Sequence, residues 1–135
     1  MRKLTIGQLA KQAGLNVETV RYYERRKLIP SPPRFAGGYR IYADAALMRV
    51  KFIIAAKQFG FSLQEIEALL VFWSKPDADC GKFKQIVIVK IRELTRNIQE
   101  QKKKKRELDG LISKCRGKCD PQHCLKMMEL AAAKL

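Results

Sequence analysis

The sequence predicts a mainly α-helical protein, and three features carry that expectation. Two short capped helical segments stand close together near the front, and a three-four apolar alternation is sustained over the last third. One brief alternating stretch reads as a strand. At 135 residues the chain has room for one small domain and an accessory element. Apolar residues at 47% against 30% charged permit a compact core and argue against disorder.

The elements follow in order. Thr5-Ile6-Gly7-Gln8 reads as a capping box, with Ile6, Leu9, Ala10 and Ala13 at helical spacing behind it. Gly14 ends that helix, and Asn16 caps a second over Val17–Arg26 with Val17 and Val20 turned inward. Two short helices around a tight glycine turn make a helix-turn-helix. Pro30, Pro32 and Pro33 forbid regular helix. Gly37-Gly38 then turns the chain into Tyr39-Arg40-Ile41-Tyr42, the strand of a wing. Asp44 is expected to cap a third helix running to about Phe59, with Leu47, Val50, Ile54 and Ala55 on one stripe and Gly60 as its stop. Ser62-Leu63-Gln64-Glu65 is a second capping box, opening a helix through Leu70. Ser74–Asp79 is a loop. From about Gly81 to Lys114, Val87, Ile91, Leu94, Ile98, Leu108 and Ile112 form a coiled-coil seam, interrupted by Gln101 and Lys105. A Cys-rich loop over 115–124 and a short helix over Leu125–Ala133 complete the chain.

Charge narrows the function. Lys and Arg number 28 against 13 Asp and Glu, a net +15. Residues 1–60 carry 12 basic and 3 acidic side chains, so the excess is densest at the helix-turn-helix. Such a balance points to a polyanion, nucleic acid before a membrane surface. The apolar runs Leu69–Trp73 and Ile86–Val89 are far too short to span a bilayer, and no signal core follows the basic Met1-Arg2-Lys3. A cytoplasmic location is expected, where four cysteines serve as metal ligands or redox sensors rather than disulfides. On the second helix Arg21 can reach a phosphate or a guanine edge, and the Tyr22 hydroxyl can reach phosphate. Tyr23 reads as core. Arg40 on the adjacent wing reinforces Arg21, and Lys57 is a weaker phosphate candidate.

The ordered series Thr5–Ala10, Thr19-Val20-Arg21-Tyr22-Tyr23-Glu24, Gly38-Tyr39-Arg40-Ile41-Tyr42 and Gly60–Ile66 resembles the winged-helix DNA-binding domain of the MerR family. The resemblance covers about the first half of the chain. It implies a homodimeric transcription regulator that sits on double-stranded promoter DNA. On ligand binding, such a regulator distorts an over-long spacer so that RNA polymerase engages. The DNA-contacting set on this reading is Thr19, Arg21, Tyr22, Tyr39, Arg40 and Lys57. The expected organisation is a winged helix-turn-helix at 1–73, a hinge and antiparallel dimerisation helix at 74–114, and a metal-binding loop with a short helix at 115–135.

Cys80 precedes the long helix and Cys115 follows it 35 positions later. At 1.5 Å per residue a straight helix holds them about 50 Å apart. A metal–thiolate bond of about 2.3 Å therefore cannot join both within one chain. An antiparallel partner brings Cys80 of one subunit beside Cys115 and Cys124 of the other, twice per dimer. Three thiolates suit a thiophilic divalent ion. The placement resembles the mercury-responsive branch, which implies Hg(II) as the sensed ligand. Zinc, cadmium and lead stay open, since Cys119 or His123 could add a fourth donor; neither is taken as a primary ligand. Three other readings are weaker. An iron–sulfur sensor would need its cysteines tightly clustered. An enzyme would have only the Cys124–His123 pair, with no third orienting group. A nucleoid-type DNA binder predicts no metal effect on promoter output. No enzymatic activity and no membrane partner are expected.

Overall fold

The computed structural model describes residues 3–32, 41–75, 77, 79–118 and 120–135. Among these the order is β1 (Lys3–Thr5), α1 (Ile6–Ala13), α2 (Val17–Arg25), β2 (Ile41–Ala43), α3 (Asp44–Gln58), α4 (Leu63–Trp73), α5 (Cys80–Lys114) and α6 (Pro121–Ala132). The chain is mainly helical, as expected. It divides into two compact units, Met1–Ile86 and Val87–Leu135.

In the first unit, Thr5 and Gln8 exchange both bonds of the capping box, at 3.2 and 2.9 Å. Gly14 closes α1 at φ 72°, a left-handed conformation that costs glycine nothing. Asn16 accepts the Thr19 amide at 2.8 Å and opens α2. That helix stops at Arg25, and Lys27 takes a positive φ of 60°. A lysine there costs about 1 kcal/mol, and the turn delivers Leu28 and Ile29 into the core. β1 and β2 pair antiparallel with Leu4 opposite Tyr42, both buried. Tyr39 and Arg40, the first half of the expected wing strand, lie outside the described residues.

Three expectations in this unit are corrected. Asp44 is not the cap of α3. Ala43 holds that position without a side-chain bond, while Asp44 sits in the first turn, where its carboxylate meets the positive end of the helix. The buried face of α3 is Ala46, Leu47, Val50, Ile53 and Ala56; Ala55 is exposed and Ile54 only half-buried. The face is broader than one stripe because α1, β2 and α4 all pack on this helix. α4 runs three residues beyond Leu70. Trp73 meets Phe52 edge-on at 5.3 Å and holds the last turn, and the Ser74 hydroxyl donates to Leu70 O at 3.0 Å.

The core of this unit is built by Leu9, Val20, Ile29, Tyr42, Val50, Ile53 and Ile66, all essentially inaccessible to solvent. A buried polar link crosses it among the described residues. The Tyr42 hydroxyl donates to Glu24 Oε1 at 3.3 Å, tying α2 to β2.

The second unit holds most of α5 and all of α6. α5 itself begins at Cys80 rather than Gly81, with Asp79 Oδ1 accepting the Gly81 amide at 2.9 Å. α6 folds back along α5, and Lys103 Nζ donates to the Leu135 carbonyl oxygen at 3.1 Å. It starts at Pro121, four residues before the expected Leu125. Asp120 accepts the Gln122 amide and Pro121 occupies the first helical position, where its missing N–H costs nothing. No helix among the described residues is long and apolar enough to cross a membrane.

Candidate nucleic-acid interface and metal centre

α2 presents two faces. Val20 and Tyr23 turn inward, whereas Arg21, Tyr22 and Arg25 are exposed. Tyr23 is thus the core tyrosine and Tyr22 the surface one, as the sequence predicts. Arg21 lies 3.2 Å from Glu18 on the same helix, and both side chains are more than half exposed. An exposed pair of this kind is worth little, about 0.3–0.5 kcal/mol, so the guanidinium is easily redirected. The Thr19 hydroxyl donates to Asn16 Oδ1 at 2.8 Å. A phosphate oxygen only accepts, so Thr19 can donate to one only by giving up that bond. Lys57 Nζ stands 6.0 Å from the centroid of the Tyr23 ring, at the outer limit of a cation–π contact. Sequence reading missed the Glu24–Tyr42 link. Eighteen residues separate the two, and each alone looks like an ordinary surface side chain.

Cys80 is exposed at the first residue of α5, and Cys115 is exposed immediately after its last. Thirty-five helical residues between the ends correspond to about 52 Å. Cys124 and His123 are not in a loop, as expected, but in the first turn of α6. The loop consequently shrinks to 115–120, and Cys119 lies outside the described residues. A cleft of about 440 Å³ is lined by Cys115, His123, Cys124 and Met127, with Leu111 and Lys114 among its other walls. His123 and Met127, four residues apart on one helical face, also border a neighbouring cleft with Glu107 and Gly110. The structure therefore brings Cys115 and Cys124 to one cleft.

Cys124 is disulfide-bonded, whereas the sequence favours metal ligands or redox sensors over disulfides for the four cysteines. A sulfur already bonded to sulfur is no thiolate, so Cys124 is a ligand in the reduced chain only. Among the described residues no three His, Cys, Asp or Glu side chains converge on a metal position within one chain. The donors that do line the cleft are chemically soft or borderline: a thiol, an imidazole, a thioether and, once reduced, a second thiol. That set fits a thiophilic cation and fits magnesium or calcium poorly.

A capped helix-turn-helix, a basic exposed face on its second helix and a long helix with an apolar seam define a DNA-binding regulator. The pattern of the MerR HTH family regulatory proteins matches residues 4–71, and that of the MerR DNA-binding region matches residues 47–111. The chain belongs to the MerR family of transcription regulators. It is 38% identical over 122 residues to the mercuric resistance operon regulatory protein of Bacillus cereus, covering 90% of this chain and 92% of that protein. Among the solved structures similar to it over most of its length, two hold a metal ion. The transcription regulator PbrR691 from Ralstonia metallidurans CH34, in complex with lead(II), gives a TM-score of 0.79 at 32% identity over 87% of this chain and 91% of that one. The dual function transcriptional regulator MerR from Bacillus megaterium MB1, in complex with mercury(II), gives 0.71 at 34% identity over 94% and 98%.

Proposed function

We propose that the protein is a metal-responsive activator that binds promoter DNA as an antiparallel homodimer and switches resistance genes on when Hg(II) is bound. The observation that carries this reading is the separation of Cys80 from Cys115 by the full length of α5. Beside it stands the cleft that Cys115 shares with Cys124. In a two-fold dimer each end of the α5 pair joins Cys80 of one subunit to Cys115 and Cys124 of the other. The exposure of Ile91, Leu94, Ile98, Leu108 and Ile112 supports a second copy lying along that seam. The mercury relative and the mercury(II) complex among its neighbours support the ion. The lead(II) complex keeps lead as the second reading, with zinc and cadmium behind it.

On this reading 1–73 engages DNA, 74–114 forms hinge and dimer, and 115–135 senses the metal. Arg21, Tyr22, Tyr39 and Arg40 contact the duplex, with Thr19 and Lys57 completing the set; Arg21 carries the largest single contribution. Metal binding alters how the two DNA-binding units sit on the promoter, and the distorted spacer admits RNA polymerase. The test is transcription in vitro under reducing conditions with Hg, Zn, Cd, Pb, Cu and Co. Wild type is compared with each Cys→Ser variant. Hg-driven output lost in the Cys80, Cys115 and Cys124 variants and kept in Cys119→Ser supports the proposal. Output indifferent to every metal, or a zinc response that depends on Cys119, overturns it.

A further inference from the structure

We infer that Tyr42, a core residue, governs how sharply α2 discriminates between DNA sequences, because its hydroxyl fixes the roll of that helix through Glu24. The inference rests on the reading of α2 as the helix that meets DNA. It adds two residues that act by positioning the contact set rather than by joining it.

Packing alone leaves the roll of α2 loosely specified. Among the described elements α2 packs chiefly on α1, whereas α1 also meets β1, β2 and α3. The buried apolar side chains of α2 are Val20 and Tyr23. Apolar burial has no direction, so those two set the depth of the helix better than its rotation. Glu24 is the third buried residue of α2, and its Oε1 accepts the Tyr42 hydroxyl at 3.3 Å. A hydrogen bond weakens steeply away from linearity, so this one holds the helix at one rotation relative to β2. The other polar tie at this end, Arg26 to Glu67 at 3.5 Å, is exposed on both sides and too screened to do the same.

Rotation decides where the DNA-facing side chains point. Arg21 and Tyr22 lie three and two residues before Glu24 on the same rigid helix. At a helix radius of about 5–6 Å, a roll of about 10° displaces a side chain by about 1 Å. A bidentate contact with a base edge tolerates little such displacement. Attraction to phosphates depends on the number of charges and survives it. Losing the link should therefore cost sequence discrimination rather than general affinity for DNA. Tyr42 is only 1% exposed, so it acts through Glu24 and not by touching a duplex.

The experiment uses the full-length protein and its Tyr42→Phe variant, which keeps the ring in the core and removes only the hydroxyl. The specific probe is a duplex that the wild type enriches from a random-sequence pool; the non-specific probe is the same duplex scrambled. Affinities are read by fluorescence anisotropy at a temperature where circular dichroism shows every variant folded. We expect Tyr42→Phe to weaken binding to the enriched duplex roughly tenfold, the order of one damaged base contact. Binding to the scrambled duplex should stay within about twofold, with an unchanged salt slope. The core variant Ile53→Val should change neither affinity, since it loosens packing and leaves the link intact. In an Arg21→Ala background the Tyr42→Phe loss should shrink, because both changes act on one contact. Unchanged affinity for the enriched duplex overturns the inference and leaves the DNA-binding reading standing. So do an equal loss on both duplexes, an equal loss in Ile53→Val, and a loss that multiplies in full with that of Arg21→Ala. A wild type that enriches no sequence from the pool overturns the DNA-binding reading itself.

Discussion

Ile53 and Ile98 are the same side chain in the middle of two helices, yet Ile53 is fully buried and Ile98 is 53% exposed. The contrast holds for the units around them. The buried apolar residues lie between Leu4 and Leu70, and beyond Ile86 the one buried residue among those described is Lys90, paired with Glu93 at 2.7 Å. In the first unit short helices meet a sheet and one another, so a continuous set of apolar residues from Leu4 to Leu70 is buried within the chain, although Met48, Phe59 and Val71 stay exposed. In the second, a long helix and a short one leave Ile91, Leu94, Leu108, Ile112, Leu125 and Met128 facing water. A fully buried isoleucine is worth about 1.5–3 kcal/mol. The first unit thus collects its folding free energy alone, whereas the second has most of its apolar surface still to bury.

Four substitutions break or sharpen that comparison. Ile98→Asp should have the largest effect. The change occurs twice in a two-fold dimer, so removing about 1.5–3 kcal/mol per copy weakens association by at least ~10²-fold. Sedimentation at a series of concentrations reads this out, and a variant that associates like wild type breaks the contrast. Ile53→Ala should cost about 2–5 kcal/mol through the cavity it leaves. Its melting midpoint should fall by the same amount at every protein concentration, unlike that of a seam variant. Tyr42→Phe removes the hydroxyl that meets the buried Glu24 and should cost roughly 1–3 kcal/mol in denaturant titration. An unchanged midpoint would mean that the link contributes nothing to joining α2 and β2. Asp120→Ala should be smallest, about 0.5–2 kcal/mol for a lost cap. Faster amide exchange confined to the first turn of α6 is the expected signature.

The legible parts of the fold were those written within a few residues. Thr5 with Gln8 and Ser62 with Glu65 form both of their reciprocal caps, and Gly14 and Gly60 sit at the positive φ their placement implied. Errors gathered where two local signals competed. Asp44 looks like a cap, but Ala43 takes that place because β2 delivers the chain to α3 one residue earlier. The Cys-rich spacing over 115–124 looks like loop, but Asp120 as cap and Pro121 as first helical residue start α6 there, which puts His123 and Cys124 on a helix. On the seam, the Asp109 carboxylate lies 2.7 Å from Lys105. Its hydrogen bond first, and its charge second, hold the lysine above its ordinary pKa. A charge at a seam position is therefore engaged along its own helix, a pairing readable from the i,i+4 spacing alone.

The order of elements, the inward and outward faces of α2, the apolar line along α5 and the distance separating Cys80 from Cys115 were all determined by the chain itself. Each follows from residues close in sequence, or from the fixed rise of a helix. Tertiary structure alone decided that Glu24 answers Tyr42, that α3 buries a broad face, and that His123 and Met127 share a cleft with Cys115. Those relations join residues that helical periodicity keeps apart, and they exist only once separate elements have packed.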